Sequence, residues 1–301
     1  MSGPYLVIAG PTGVGKSEVA LEVAEAIEGE IVIADSRQLY RGLDVATARP
    51  TPAERARVPH HLLDLVDPGE PYTAADYARD AGRALDEIGS RGRVAVVCGG
   101  TGLYLEALAG GLDPMEPVDD ATRERVRAIP VGERHAELAR LDPEAGTRLH
   151  PHDRQRVERA LAVRLATGRS LIRHWSGGGP LRPHVAIRLH RPRAELRRRS
   201  EERLELMLAA GLEAEARALH AVGLTPADPG VDTIGIQEWW PHFEGAIPRE
   251  EAIRRIRVAT RRYAKRQETW FRRRGEYRPV DAEAGAERVR EVWAERTEAV
   301  R

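Results

Sequence analysis

Short, mostly apolar runs punctuate this chain: Tyr5-Leu6-Val7-Ile8-Ala9, Glu30-Ile31-Val32-Ile33-Ala34, Val94-Ala95-Val96-Val97-Cys98 and Pro183-His184-Val185-Ala186-Ile187-Arg188-Leu189. They are rich in β-branched residues and lack polar alternation, which predicts strands covered on both faces. Between and after them, apolar positions recur near every 3.6 residues. That spacing predicts helices over Glu18–Ile27, from a Thr73 N-cap to about Ser90, over Arg193–Leu219 with a break near Gly211, and over Arg249–Arg274. Strands alternating with helices predict an α/β fold, a parallel sheet flanked by helices.

From Asp113-Pro114 the texture changes. Strand-like runs stop until about residue 185, and Pro117, Pro130, Pro143 and Pro151 separate short charged helices. The expected organisation is a catalytic core of residues 1–113 and 186–301 with a helical insertion domain of residues 114–185. Ser176-Gly177-Gly178-Gly179-Pro180 reads as a connector closing the insertion.

The first strand runs into Gly10-Pro11-Thr12-Gly13-Val14-Gly15-Lys16-Ser17, which reads G-x-x-x-x-G-K-[ST]. Strand, glycine loop and helix are the parts a phosphate cradle requires, so the core is expected to be P-loop NTPase-like. Glycines let successive N–H groups converge, and the helix start adds partial positive charge. Lys16 would reach outer phosphates and the Ser17 hydroxyl would ligate Mg²⁺. Such a loop binds ATP or a diphosphate equally well. The only lysines of this Arg-rich chain are Lys16 and Lys265. A compact ammonium suits a tight cradle better than a planar guanidinium.

The second strand delivers Asp35-Ser36-Arg37-Gln38 at its carboxyl end, the edge where parallel α/β sheets bind ligands. By position alone, Asp35 serves equally as a base, a Mg²⁺ ligand or a turn cap. The third strand ends in Gly99-Gly100-Thr101-Gly102-Leu103-Tyr104 rather than in the acid expected of a mechanochemical ATPase. Glycines allow a substrate to lie against the backbone there, and Thr101 can orient it. Adjacent His60-His61 diverge and have no third ligand in spacing, so they read as a strand entry rather than a metal pair.

Lys and Arg number 47, as do Asp and Glu, so the net charge is zero, but the charge is unevenly spread. Residues 1–110 hold 10 basic and 16 acidic side chains; residues 186–280 hold 20 and 14. Arg254 to Arg274 alone contains ten basic residues and one acid, interleaved with Tyr263, Trp270 and Phe271. Basic residues beside aromatics are a nucleic-acid signature; the aromatics also suit a packed face with Ile253, Ile256 and Ala264. In the insertion, Asp153 is placed to cap a helix whose Gln155 and Arg159 share a face. A lone cysteine, Cys98, excludes an internal disulfide and a cysteine-cluster metal site. No apolar run reaches membrane length and no signal-peptide pattern opens the chain, so a cytoplasmic protein with no membrane partner is expected.

Taken together the motifs resemble the bacterial tRNA dimethylallyltransferases, the isopentenyl-tRNA transferase (IPP transferase) family. The matching segments are GPTGVGKS at 10–17, DSRQLYRGLDVATARP at 35–50, PHHLLD at 59–64, GGTGLY at 99–104, RLHPHDRQRVERAL at 148–161, DTIGIQE at 232–238 and ATRRYAKRQETWFR at 259–272. They span about residues 5–275 in order. The resemblance implies transfer of a dimethylallyl group from dimethylallyl diphosphate to the exocyclic N6 amine of the adenosine 3′-adjacent to the anticodon in tRNA, with release of diphosphate. It implies Mg²⁺ as cofactor, residues 10–17 as the diphosphate cradle and Asp35 as the base. Thr101 would act on the target nucleotide and Lys16 on the leaving group. It further implies tRNA contacts at Asp35, Ser36, Arg37, Gln38, Thr101 and Arg123. Two later runs join them: Gln155, Arg156, Val157, Glu158 and Arg159, then Asp232, Thr233, Ile234, Gly235, Ile236 and Gln237. The insertion would contact the anticodon stem-loop, and the enzyme would be a monomer. The chain departs from the family at Ile236, where members often carry an aromatic, and near Gln237, where others carry a basic residue.

Two other readings share parts of this pattern. A small-molecule kinase has the loop and a helical lid but leaves the 35–38 and 99–104 segments and the basic aromatic helix without a use. A GTPase-like RNA-binding module would need an Asn-Lys-x-Asp motif, which the sequence lacks.

Overall fold

The computed structural model describes residues 3–110, 118–174 and 182–298. The chain forms two compact units, Met1–Leu108 with Pro183–Arg301, and Ala109–Arg182. The expected boundary at 113/114 and the Ser176–Pro180 connector lie outside the described residues. The other boundary falls earlier than 185, because His184 and Val185 already pair with Tyr5 and Leu6.

The first half of the larger unit contains β1 (Tyr5–Ala9), α1 (Lys16–Ala26), β2 (Glu30–Ile33), α2 (Pro52–Arg57), β3 (His60–His61), α3 (Ala74–Ser90), β4 (Ala95–Gly99) and α4 (Gly102–Leu108). Helix α1 begins at Lys16, earlier than its apolar spacing predicts, because Gly15 takes a left-handed conformation (φ +102) at its N-cap. Thr73 caps α3 as expected; its hydroxyl accepts the Asp76 N–H while Asp76 reaches back to the Thr73 N–H.

The smaller unit is all helix among its described residues: α5 (Asp120–Ala128), α6 (Arg134–Leu141), α7 (Pro143–Arg148), α8 (Arg154–Thr167) and α9 (Leu171–His174). Asp119, Asp142 and Asp153 each cap a helix by accepting the backbone N–H three positions on. Val126, Leu138, Leu149, Val157, Leu161 and Ile172 form its core.

The larger unit resumes with β5 (His184–His190), α10 (Arg193–Ala209), α11 (Leu212–Ala221), α12 (Trp240–Phe243), α13 (Arg249–Arg272), β6 (Arg278–Asp281) and α14 (Gly285–Glu298). Gly211, at φ +100, makes the expected break between α10 and α11. The six strands form one sheet in the order β3-β2-β4-β1-β5-β6, with every pairing parallel.

Alternate side chains of the strands enter opposite cores, which is why the runs are largely apolar without alternation. Leu6, Ile8, Ile33 and Ile187 pack with Val19 and Val23 of α1 and Val289 of α14. Tyr5, Val7, Val32 and Val97 pack with Tyr77 and Leu85 of α3, Tyr104 of α4 and Phe271 of α13. A third cluster joins α10, α11 and α13 to the 231–240 segment through Leu204, Leu212, Ile236, Trp239 and Ile256.

Candidate active site

The phosphate-binding loop connects β1 to α1. Gly10 (φ +153) has no room for a side chain, since a Cβ would lie 2.8 Å from the Leu189 carbonyl oxygen. Behind the loop, Arg199 donates from Nε to the Gly13 carbonyl and Arg191 from Nε to the Val14 carbonyl, each at 3.0 Å. These bonds hold the loop carbonyls on its outer side. The Lys16 ammonium donates to the Pro11 carbonyl at 2.9 Å. Its pKa is pushed down to about 8, chiefly by burial; the Cys98 and Asp35 side chains oppose the shift and the Arg203 charge adds to it. Ser17 is exposed in the first turn of α1.

Asp35 lies just beyond β2. Its Oδ1 accepts the Arg37 N–H at 2.9 Å, so one oxygen does make the turn cap. Its Oδ2 has no hydrogen-bond partner among the described residues. Thr101, just beyond β4, accepts the Ser36 N–H at 3.0 Å and lies 3.4 Å from the Ser36 hydroxyl. The structure therefore brings Asp35, Ser36 and Thr101 together at the ends of two adjacent strands. Gly99 permits the approach, because a Cβ there would sit 2.0 Å from the Ala34 carbonyl oxygen.

Several contributors were not assigned to the site from the sequence, although Tyr263 and Trp270 were singled out on the basic helix. Buried Gln267 of α13 accepts the Thr12 N–H and donates to the Gly100 carbonyl, both at 2.9 Å. It thereby ties the phosphate loop to the 99–104 segment. Trp270, one turn later, occupies the space a Cβ on Gly102 would need, at 2.4 Å, and carries the Arg274 guanidinium 3.4 Å above its ring centroid. Tyr263 lies close to Thr101 and Asp35; burial first, then the Asp35 charge, pushes its phenol up to about 12, so it stays protonated. Arg203 of α10 acts electrostatically on both Lys16 and Asp35. The aromatic-basic pattern of 254–274 marked the right helix but not which side chains point inward. Arg203 sat within an Arg/Glu-rich stretch that gave no such signal. Replacing Gln267 with Met leaves Thr12 N–H and Gly100 C=O unpaired, with an expected loss of about 2–4 kcal/mol in stability. Urea denaturation measures it, and an unchanged midpoint would mean the bridge contributes nothing.

The 35–38 and 232–237 segments also meet. Arg37 donates to the Pro229 carbonyl at 2.6 Å and to Asp232 at 3.0 Å, and Gln237 donates to Asp232 at 3.3 Å. Gly235, at φ +97, gives its N–H to Glu238. Three side chains expected at an RNA surface are instead interior. Thr233 is buried with its hydroxyl on the Gly230 carbonyl. Ile236 is fully buried in the Trp239 cluster, and Val157 belongs to the core of the smaller unit. They shape their segments and do not present side chains to a ligand. Gln38 is buried too and donates to the Thr47 and Ala48 carbonyls.

In the smaller unit, Arg156 pairs with Asp153 at 2.5 Å and Glu158 with Arg134 at 2.6 Å. Gln155 and Arg159 are exposed on α8. Arg159 is held below the usual guanidinium range by partial desolvation and by the nearby Arg123 charge. Arg123 itself pairs with the exposed Asp120 at 3.1 Å. His60 and His61 do form a short strand; His61 contacts Glu30 at 2.6 Å, and Arg91 closes the same carboxylate at 2.7 Å. Among the described residues no three His, Cys, Asp or Glu side chains converge as a metal cluster, and no helix is long and apolar enough to cross a membrane.

Residues 38–274 match the IPP transferase family, and residues 4–64 match the isopentenyl transferase family. A tRNA dimethylallyltransferase of Halorhodospira halophila is 50% identical over 281 residues, covering 90% of this chain and 91% of that protein. The tRNA dimethylallyltransferase of Bordetella petrii is 42% identical over 311 residues, covering 98% and 99%. The crystal structure of a tRNA isopentenylpyrophosphate transferase from Bacillus halodurans aligns with a TM-score of 0.69 at 35% identity, covering 92% of this chain and 89% of that one. A eukaryotic dimethylallyltransferase acting on tRNA aligns with a TM-score of 0.80 at 27% identity, covering 93% and 74%.

Proposed function

Because the chain belongs to the IPP transferase family, we propose that it transfers a dimethylallyl group from dimethylallyl diphosphate to the N6 amine of the adenosine 3′-adjacent to the anticodon in tRNA. The observation that carries this reading is the Asp35 carboxylate, whose Oδ2 has no hydrogen-bond partner among the described residues, next in the chain to the Ser36 that Thr101 holds and within electrostatic reach of Lys16. A carboxylate, a hydroxyl and a phosphate cradle are the parts that amine alkylation by a diphosphate ester needs.

In the reaction the N6 lone pair attacks C1 of the dimethylallyl group, the C1–O bond breaks, and diphosphate leaves with the bonding electrons. Asp35 accepts the N6 proton through Oδ2. Thr101, held by Ser36, orients the amine. Lys16, the loop N–H groups and Arg203 stabilise the charge that grows on the diphosphate. The Ser17 hydroxyl suits Mg²⁺, which characteristically takes one protein oxygen together with phosphate oxygens and water; there it would supply further charge neutralisation. The target base must leave the anticodon-loop stack to reach Asp35. Exposed Arg123, Gln155 and Arg159, with the Arg37–Asp232–Gln237 cluster, are the RNA-contacting groups in this reading.

The test is one incubation of the protein with Mg²⁺, dimethylallyl diphosphate and an unmodified anticodon stem-loop, followed by mass analysis of the RNA. One prenyl unit gained on the loop adenosine is expected. No gain on any suitable tRNA, with ATP-dependent phosphorylation of a small molecule instead, would overturn the reading in favour of a kinase.

A further inference from the structure

Residues 40–49, which follow the Asp35 turn, are tied down by residues that the reaction does not use. Glu215 of α11 accepts three consecutive backbone N–H groups: Oε2 takes those of Asp44 and Val45, both at 2.7 Å, and Oε1 takes that of Ala46 at 2.9 Å. Successive N–H groups turned to one centre make an anion-binding concavity, and here the anion is a side chain from a distant helix. Leu212 and Leu219, three positions before and four after Glu215 on the same side of α11, are buried in the third cluster, so the carboxylate is offered from a rigid element. Arg49, with only 8% of its side chain exposed, pairs with Asp44 at 2.7 Å and Asp64 at 2.5 Å. It also donates to the Tyr40 carbonyl at 2.6 Å. Within this frame Ala48 is held at φ +46, a left-handed conformation that disfavours a residue with a Cβ.

The result of that conformation is the direction of two carbonyls. The Thr47 carbonyl accepts from Gln38 at 3.0 Å and from Arg203 Nη2 at 3.4 Å, and the Ala48 carbonyl accepts from Gln38 at 3.4 Å. Arg203 is the guanidinium whose charge reaches Lys16 and Asp35.

We propose that Glu215 is a positioning residue: its carboxylate holds the 44–48 loop in the conformation whose Thr47 carbonyl orients Arg203 toward the diphosphate site. This rests on the reading of residues 10–17 as that site. Without the carboxylate the loop relaxes away from the left-handed turn at Ala48, and Arg203 loses the acceptor that aims it. The effect falls on diphosphate binding, because a bound diphosphate must first reselect the ordered loop.

The experiment measures affinity for inorganic diphosphate by titration calorimetry, with thermal unfolding in parallel, for wild type, Glu215→Gln, Ala48→Gly and the double variant. If Glu215→Gln leaves the loop ordered a tenth of the time, its Kd rises roughly tenfold. Ala48→Gly alone changes Kd by less than about twofold, and in the Glu215→Gln background it recovers a few-fold, because glycine enters the left-handed turn without a steric cost. A folded Glu215→Gln variant with wild-type Kd would overturn the proposal. So would a raised Kd that Ala48→Gly does not relieve, since a general loss of packing gains nothing from glycine at that one position. Diphosphate binding is independent of the RNA reaction. A wild type that fails to prenylate RNA but shows these shifts would sink the assigned reaction and leave the Glu215 role standing.

Discussion

Asp35→Asn lowers the single-turnover rate of prenyl transfer by roughly 10²–10⁴ while tRNA affinity stays within a few-fold. The two effects separate because Asn keeps the turn: its amide oxygen still accepts the Arg37 N–H that Oδ1 holds at 2.9 Å. What disappears is the second oxygen as a proton acceptor. An adenine N6 amine is a weak nucleophile whose lone pair is delocalised into the ring, so the attack needs its proton withdrawn as the new bond forms. Ser36 and Thr101 stay linked to each other in this variant, so the seat of the base is retained. Rapid quench with enzyme in excess over the stem-loop measures the rate, and filter binding measures affinity. A near-normal rate would remove Asp35 from the role of base; equal losses of rate and affinity would make it a binding group.

Lys16→Ala cuts kcat/KM for dimethylallyl diphosphate by roughly 10²–10³, the usual consequence of removing one preorganised charge from a developing anion. The ammonium is already in the cradle, fixed to the Pro11 carbonyl at 2.9 Å. It therefore pays little reorganisation when the C1–O bond breaks. An unchanged kcat/KM would sink the assignment of the loop to the diphosphate. The same lysine sets a pH dependence whose sign follows from its environment. Burial lowers its pKa to about 8 in the free protein. A bound diphosphate favours the charged form and raises that pKa. Affinity for inorganic diphosphate is thus fully present below about pH 8 and falls above it, by up to about tenfold per pH unit until the pKa of the complex is reached. Titration calorimetry at pH 7 and pH 9 reads the difference, and Lys16→Ala removes it.

The parts legible in the sequence were those whose cause is local. The four runs became β1, β2, β4 and β5 because a strand covered on both faces is apolar at most of its positions. Gly211 marked the break between α10 and α11 because a left-handed residue ends a helix whatever surrounds it. Lys16 and Ser17 follow from strand, glycine loop and helix in immediate succession. Strand β6 was missed: Arg278-Pro279-Val280-Asp281 contains a proline and only one fully buried apolar side chain. It is a strand because it lies at the sheet edge beside β5, where a missing N–H is tolerated.

The sequence by itself therefore determined most of the elements and their parallel arrangement, and it located the glycine loop, Asp35 and Thr101 at the ends of strands. The tertiary structure decided how those residues are held. Gln267 joins Thr12 to Gly100, residues 255 and 167 positions away in the chain. Glu215 reaches the 44–46 backbone from 171 to 169 positions away. The burial of Thr233, Ile236 and Val157 depends on which face each segment turns inward. None of this leaves a local signature, because a hydrogen bond between distant residues depends on where the packed elements bring them, and composition and periodicity describe only neighbours along the chain.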